Sequence, residues 1–279
     1  MGTMLQSAGL PAGACPEVWN RSHPERILAV HRQYMDAGSE VILTNTFGGS
    51  RLKLRRFGLE DRVDDLNRAG VRLARSVARP GVRVAASVGP TGELPEPYGA
   101  VSRDELVDAF AEQIGALTDE GADLIWIETM SDLAEAAAAL AAARASCRLP
   151  VVVTATFDRG IRGYRTMMGT SPEEAAGTLH AAGADYIGAN CGVGSEDLVR
   201  IIRAMHAAVP SAALVAKPNA GIPGLIAGRT CYPESPAYMA AAIPSLLEAG
   251  VRIVGGCCGT TPDHIRQMAR MVRNGKDTA

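Results

Sequence analysis

Short apolar, β-branched runs alternate with longer helical stretches along the whole chain, with no low-complexity linker and no repeat of fixed period. The runs predict seven strands: Glu40–Thr44, Val82–Val88, Asp123–Glu128, Pro150–Phe157, Asp185–Asn190, Ala212–Lys217 and Val251–Gly255. Helical periodicity, with Ser, Thr or Pro start signals at several sites, predicts eight helices. These are Pro24–Ala37, Asp61–Arg79, Arg103–Glu120, Asp132–Ala145, Pro172–Ala182, Glu196–Ala208, Pro236–Ala249 and Pro262–Val272. Ser171-Pro-Glu-Glu174 reads as a capping box. Gly38, Gly121, Gly183 and Gly250 stand where a helix must stop just before the next strand, as short αβ loops require.

Strands that are apolar on both faces imply a parallel sheet covered by helices. Eight helices and seven strands, beginning with a helix, fit an α/β fold of the (β/α)8 TIM-barrel type that lacks its first β-strand, expected as a single domain over residues 1–279. A doubly wound open sheet is the competing architecture.

Composition narrows the function. The 279 residues carry 28 Lys+Arg against 30 Asp+Glu, a net charge of −2, with 4% aromatics. Such a chain lacks both the basic footprint and the stacking rings of a nucleic-acid binder. Hydrophobic residues at 47% allow a sizeable core. The most apolar long stretch, Ala134–Ala145, is broken by Glu135 and Arg144, far from the roughly 18 uninterrupted apolar residues of a spanning helix. No secretory leader pattern opens the chain, so the expectation is a soluble cytoplasmic protein without membrane contact.

The six cysteines are too sparse for a disulfide scaffold. In a barrel, chemistry gathers where strands end, and three of the six, Cys191, Cys257 and Cys258, fall there. Three thiolates are a familiar zinc donor set that keeps a fourth position for substrate. Adjacent residues of a regular strand point to opposite faces, so Cys257 and Cys258 can share a metal only if the backbone leaves strand geometry. Gly255, Gly256 and Gly259 permit that. Buried packing or a vicinal disulfide is the alternative for the adjacent pair. Cys15, Cys147 and Cys231 read as packing or surface residues.

Other strand-end residues complete the candidate set. Glu128 would be costly at the end of an apolar strand unless it met a cavity or an ammonium, which suits a substrate amino group; an N-cap or salt bridge is the alternative. Thr44, Asn45 and Ser87 lie at neighbouring strand ends. Thr44 and Asn45 offer hydrogen bonds to a carboxylate or amine, or simply satisfy their own loops. Asn219 could offer its amide oxygen to the open metal position or form an Asx-type turn. His264 reads as a helix-cap residue. A metal held by three thiolates favours sulfur nucleophilicity and alkyl transfer over hydrolysis.

At these residues the sequence resembles the homocysteine S-methyltransferase family, and within it the homocysteine-binding module of cobalamin-dependent methionine synthase. The motifs run through nearly the whole chain: Met1-Gly-Thr-Met-Leu-Gln, Cys15-Pro-Glu-Val-Trp-Asn, Thr44-Asn-Thr-Phe-Gly, Ser87-Val-Gly-Pro-Thr-Gly, Ile127-Glu-Thr-Met, Thr166-Met-Met-Gly, Gly188-Ala-Asn-Cys-Gly, Lys217-Pro-Asn-Ala-Gly and Gly255-Gly-Cys-Cys-Gly-Thr-Thr-Pro-Asp-His-Ile. The resemblance implies Zn2+ on Cys191, Cys257 and Cys258, with homocysteine sulfur as fourth ligand and no catalytic group beyond the metal site. It further implies an amino acid end held by Glu128 and Thr44, and Asn219 near the open position. Methylcobalamin on a separate corrinoid protein is the implied methyl donor, with betaine and S-methylmethionine as alternatives. Family members carry a strand ending in Asp-Gly-Ala ahead of Met-Gly-Thr, and its aspartate helps to bind the homocysteine amino group. The expected barrel lacks both. A zinc- and thiol-binding module without turnover, a subunit of a larger methyl-transfer complex, and transfer to another thiol therefore stay open.

Overall fold

The computed structural model describes residues 1–226 and 229–276. Seven strands form one sheet: β1 (Val41–Leu43), β2 (Arg83–Val88), β3 (Leu124–Met130), β4 (Val151–Ala155), β5 (Tyr186–Asn190), β6 (Leu214–Lys217) and β7 (Val251–Val254). Their spatial order is their chain order. A doubly wound sheet reverses direction at a switch point, whereas this one adds each strand beside the previous one, as a (β/α)8 fold does. The pairings are parallel, with Val41 opposite Arg83, Ala85 opposite Leu124 and Ile187 opposite Leu214. All five residues of β4 and all four of β6 are buried, as expected of strands covered on both faces.

The chain divides into two compact units, one of Met1–Met35 with Glu40–Val153, the other of Asp36–Ser39 with the chain from Thr154 onward. In the first, Leu5, Leu10, Trp19, Ile27 and Val30 form one cluster of the core, and Met35, Ile42, Ala74 and Val84 another. The alanine-rich helix Leu133–Ser146 buries Ala136, Ala138, Ala139, Ala142 and Ala143. In the second unit the helices Pro172–Ala181, Ser195–Ala208 and Pro262–Lys276 follow β4, β5 and β7. Ser171 and Glu174 exchange both bonds of the expected capping box. Gly38, Gly121, Gly183 and Gly250 all adopt positive φ at the expected helix ends. No helix among the described residues is long and apolar enough to cross a membrane.

Short helices at Gly2–Ser7, Trp19–Ser22 and Arg51–Arg55 have no counterpart among the eight expected, and other features differ too. The helix expected over Pro236–Ala249 is two, Pro236–Ala241 and Ile243–Glu248. Pro244 has no N–H to continue the ladder, so the first helix stops and a second begins around it. The run expected to continue to Phe157 stops at Ala155 and gives way to a hairpin, Asp158–Gly160 against Gly163–Arg165. A second hairpin pairs Gly224–Ile226 with Arg229–Cys231. Both follow the C-terminal ends of sheet strands.

His31, on the helix Pro24–Asp36, is only 2% exposed, and its Nε2 lacks a hydrogen-bond partner. Burial, reinforced by the N-terminal ammonium, depresses its pKa to about 4. A histidine with a lowered folded pKa contributes stability above its ordinary value, and loses it as pH falls toward the folded value. We expect about 2–3 kcal/mol of stability to disappear between pH 6.5 and 4.5 through this group. Urea unfolding across that window checks it. The His31→Leu variant should show a flatter dependence, and an equal slope in both proteins would refute the assignment.

Candidate metal centre

The three strand-end cysteines converge. The sulfur atoms of Cys191, Cys257 and Cys258 all lie within 4.8 Å of one another, with Cys191 and Cys258 3.8 Å apart. All six cysteines are free thiols, so the adjacent pair is not a vicinal disulfide. Tetrahedral ligation with metal–sulfur bonds of about 2.3 Å separates ligand sulfurs by about 3.8 Å. The donor set thus fits a thiolate-bound ion without rearrangement of the Cys191–Cys258 pair. Cys15, Cys147 and Cys231 stand outside the group.

Backbone geometry brings the sulfurs in. Cys191 immediately follows β5 and has φ 63°, a left-handed conformation uncommon for a residue with a side chain. Gly192 continues that turn at φ 70°, and a Cβ there would stand 2.2 Å from the Phe157 carbonyl oxygen. Gly259 closes the second cysteine loop at φ 78°, where a Cβ would fall 2.1 Å from the Tyr232 ring.

The segment after β6 ties the two loops together. The Cys191 N–H donates to the Lys217 carbonyl at 3.1 Å, and the Cys257 N–H to the Pro218 carbonyl at 2.8 Å. Asn219 Oδ1 accepts from the Cys258 N–H at 3.0 Å, and the Asn219 N–H donates to the Val193 carbonyl at 3.1 Å. The Ala220 N–H donates to the Cys258 carbonyl at 2.9 Å. Asn219 therefore orients the Cys258 loop.

The thiols resist ionisation. Contact with Cys191, then burial, pushes Cys257 up to about 11 against a lowering contact with Cys258. For Cys258 the contact with Cys191 lowers, but Cys257 and burial outweigh it and the thiol reaches about 11. Cys191 is raised too, since its contact with Cys258 and burial overcome a lowering contact with Cys257. A bound cation would offset that cost, since thiol ligands must lose their protons to bind it.

Several neighbours had no role assigned from the sequence. Asn190, fully buried, points Nδ2 at Cys257 Sγ from 3.6 Å, while Thr154 Oγ1 meets its Oδ1 at 2.6 Å. Tyr232 stands over Gly259, next in the chain to Cys258, and burial, then the neighbouring Cys258 thiol, pushes its pKa up to about 12. The buried Lys217 lowers Cys257. The Asn190 signal was its place beside Cys191; Tyr232, in a loop 26 residues before Cys258, left none. His264 behaves as a cap: Nδ1 accepts the Thr261 N–H at 3.1 Å, which leaves Nε2 to donate to the Glu234 carbonyl at 3.0 Å.

The first unit holds the other candidates in a network of its own. Ser87 Oγ donates to Glu128 Oε1 at 2.6 Å, and Glu128 is buried at the end region of β3. The next residue, Thr129, has φ 65°, a strained value for a β-branched side chain. Thr44 Oγ1 accepts the Ser87 N–H at 3.0 Å and shares a hydrogen bond with Thr46 at 2.6 Å. Asn45 Nδ2 donates to the Pro16 carbonyl and to Asn20 Oδ1. Thr44 and Asn45 thus bind their own surroundings, and the buried carboxylate of Glu128 is the most distinctive polar group of this set.

The family model described as homocysteine S-methyltransferase matches residues 1–272. Methionine synthase from Mycobacterium leprae is 34% identical over 99% of this chain, and that from Mycobacterium tuberculosis 34% over 98%. The chain spans about a quarter of the length of these relatives, 24% in each case. Among solved structures, the metallated form of the homocysteine methyltransferase MmuM from Escherichia coli superposes with a TM-score of 0.78 at 24% identity, covering 97% of this chain and 93% of that one. The oxidised form of MmuM gives 0.77 at 26% identity, covering 98% and 93%.

Metal titration tests the centre directly. We expect about one equivalent of Co2+ or Zn2+ per chain, with sulfur-to-cobalt charge-transfer absorption in the cobalt form. Serine at position 191, 257 or 258 should weaken binding by more than about 100-fold, whereas Cys147→Ser should not. Because each thiol must lose a proton, affinity should climb by up to about a thousandfold per pH unit below pH 9. A pH-independent affinity would exclude the thiols as ligands.

Proposed function

Because this chain belongs to the homocysteine S-methyltransferase family, we propose that it holds Zn2+ on Cys191, Cys257 and Cys258 and moves a methyl group to the thiol of L-homocysteine, giving methionine. The observation that carries the reading is the convergence of three free thiols within 4.8 Å of one another, with Cys191 and Cys258 at the 3.8 Å that tetrahedral ligation sets. Bound zinc would supply a cation that keeps the substrate sulfur as a thiolate at neutral pH.

The protein's own residues have distinct tasks in this reading. The three cysteines fix the ion and leave one position for substrate. Asn219, through the Cys258 N–H, and the Lys217 and Pro218 carbonyls, through the other two cysteine amides, hold the ligand loops. Glu128 would accept the substrate ammonium, a role supported by the burial of a carboxylate that Ser87 orients. Thr44, Asn45 and Ser87 would shape that polar end. In the transfer itself a sulfur lone pair forms the new S–C bond as the bond from carbon to the donor breaks and its electron pair leaves with the donor. Methylcobalamin on a separate corrinoid protein is the proposed donor, supported by the resemblance to methionine synthases.

Titrating the cobalt form with L-homocysteine separates the steps. The charge-transfer bands should change and saturate at one equivalent, and methionine should then appear when methylcobalamin is added. Glu128→Gln should keep the metal stoichiometry and weaken homocysteine binding by about tenfold or more. A cobalt spectrum indifferent to homocysteine would sink the acceptor assignment. Product from betaine or S-methylmethionine but not methylcobalamin would sink the donor assignment alone.

A further inference from the structure

A thiolate-rich site that handles a methyl donor faces a selectivity problem: its own ligand sulfurs are nucleophiles too. Each of the three has an N–H or O–H group beside it from outside the thiol group. The Gly192 N–H, next in the chain, lowers the pKa of Cys191. Asn190 Nδ2 faces Cys257 Sγ at 3.6 Å. The Tyr232 ring stands over Gly259, next in the chain to Cys258, and its hydroxyl lowers that thiol's pKa.

These donors are built in. Asn190 is fully buried, and Thr154, also fully buried, meets its Oδ1 at 2.6 Å. A thiolate can only accept, so the amide must turn its NH2 toward Cys257 once that thiol is ionised, and the Thr154 hydroxyl then donates to Oδ1. Tyr232 lies over Gly259, the one residue type that leaves room for its ring, since a Cβ would fall 2.1 Å from Cγ. Cys191 and Gly192 both hold left-handed φ, 63° and 70°, which fixes the amide next to the Cys191 side chain.

We propose that Tyr232 and Asn190, with the Gly192 amide, quench the nucleophilicity of the ligand sulfurs, so that alkylation falls on the incoming substrate thiolate and not on the cysteines. This rests on the reading of the site as a metal-thiolate methyl-transfer centre. A hydrogen bond draws charge from a thiolate lone pair and must be weakened as that lone pair becomes an S–C bond. An incoming thiolate without such a donor keeps its full reactivity. Tyr232 and Asn190 are specificity-determining residues in this account, acting through the ligand sulfurs.

Methyl iodide provides the test, since attack by a ligand sulfur forms an S–C bond, expels iodide and leaves a methyl thioether that peptide mass spectrometry locates. Cobalt- and zinc-loaded wild type and Tyr232→Phe would be compared without homocysteine. We expect Tyr232→Phe to load one equivalent of metal, to shift the sulfur-to-cobalt band to longer wavelength, and to be methylated at Cys258 about tenfold faster, with Cys191 little changed. Loading equal to wild type with an unmoved band and unchanged methylation of Cys258 would overturn the proposal. Faster methylation spread evenly over all three cysteines would overturn it as well, because that reports a loosened site. A Tyr232→Phe protein that loads no metal would show the phenol to be needed for assembly, against the assigned role; Asn190→Asp, which replaces the NH2 donor with an acceptor, then repeats the comparison at Cys257. Failure of the parent reading looks different: wild type would load metal and show these alkylation rates, yet ignore homocysteine.

Discussion

Three thiols that repel one another as anions must be held within 4.8 Å before any ion arrives, and the rest of the second unit is arranged around that demand. The solution lies in the backbone. β5 and β7 supply the cysteines, β6 lies between them in the sheet, and the chain leaving β6 hydrogen-bonds to both cysteine loops. Residues far apart in sequence, 191 and 258, thereby acquire fixed positions from strand order alone. A sheet whose strands reversed order at a switch point would separate these loops, so the architecture and the donor set are one constraint.

The same constraint explains the unusual local conformations. A regular strand cannot present Cys257 and Cys258 to one point, and the chain leaves β7 at Val254 before reaching them. Cys191 carries a left-handed φ that costs on the order of 1 kcal/mol or more, and persists because its N–H bonds to the Lys217 carbonyl and the Val193 N–H bonds back to its own carbonyl. Backbone strain concentrates at the ligand, while the strands beneath remain ordinary.

Much of this was legible in the sequence because the controlling signals are local or compositional. Apolar runs located all seven strands, the glycines before strands marked helix ends, and glycine-flanked cysteines at strand ends marked the donor set. What escaped has physical reasons. The hairpins Asp158–Gly160/Gly163–Arg165 and Gly224–Ile226/Arg229–Cys231 have strands of three residues and no two-sided apolar pattern to detect. The broken helix around Pro244 kept its apolar spacing across the break, so periodicity overrode a proline that should have weighed more. Thr44 and Asn45 had the right residue types for substrate contacts, yet their partners come from Ser87, Pro16 and Asn20, which no short-range pattern reveals. Tyr232 reaches Cys258 through tertiary folding only.

The balance of charge then decides what chemistry the centre suits. Three thiolates around a dication leave a net negative site, and a fourth thiolate deepens it. Such a cation is a poor acidifier of water, and among the described residues no histidine or carboxylate joins the thiol group to serve as a base within it. The surroundings instead moderate sulfur: the Asn190 amide faces Cys257, which a buried lysine also lowers, and Tyr232 and the Gly192 N–H lower Cys258 and Cys191. Donors placed this way act where sulfur lone pairs accumulate and not on water. Hydrolysis would need the reverse, an electron-poor ion with a base nearby. Under the proposed function the nucleophile is sulfur and the electrophile carbon, and that reading requires one sulfur to be more reactive than the other three.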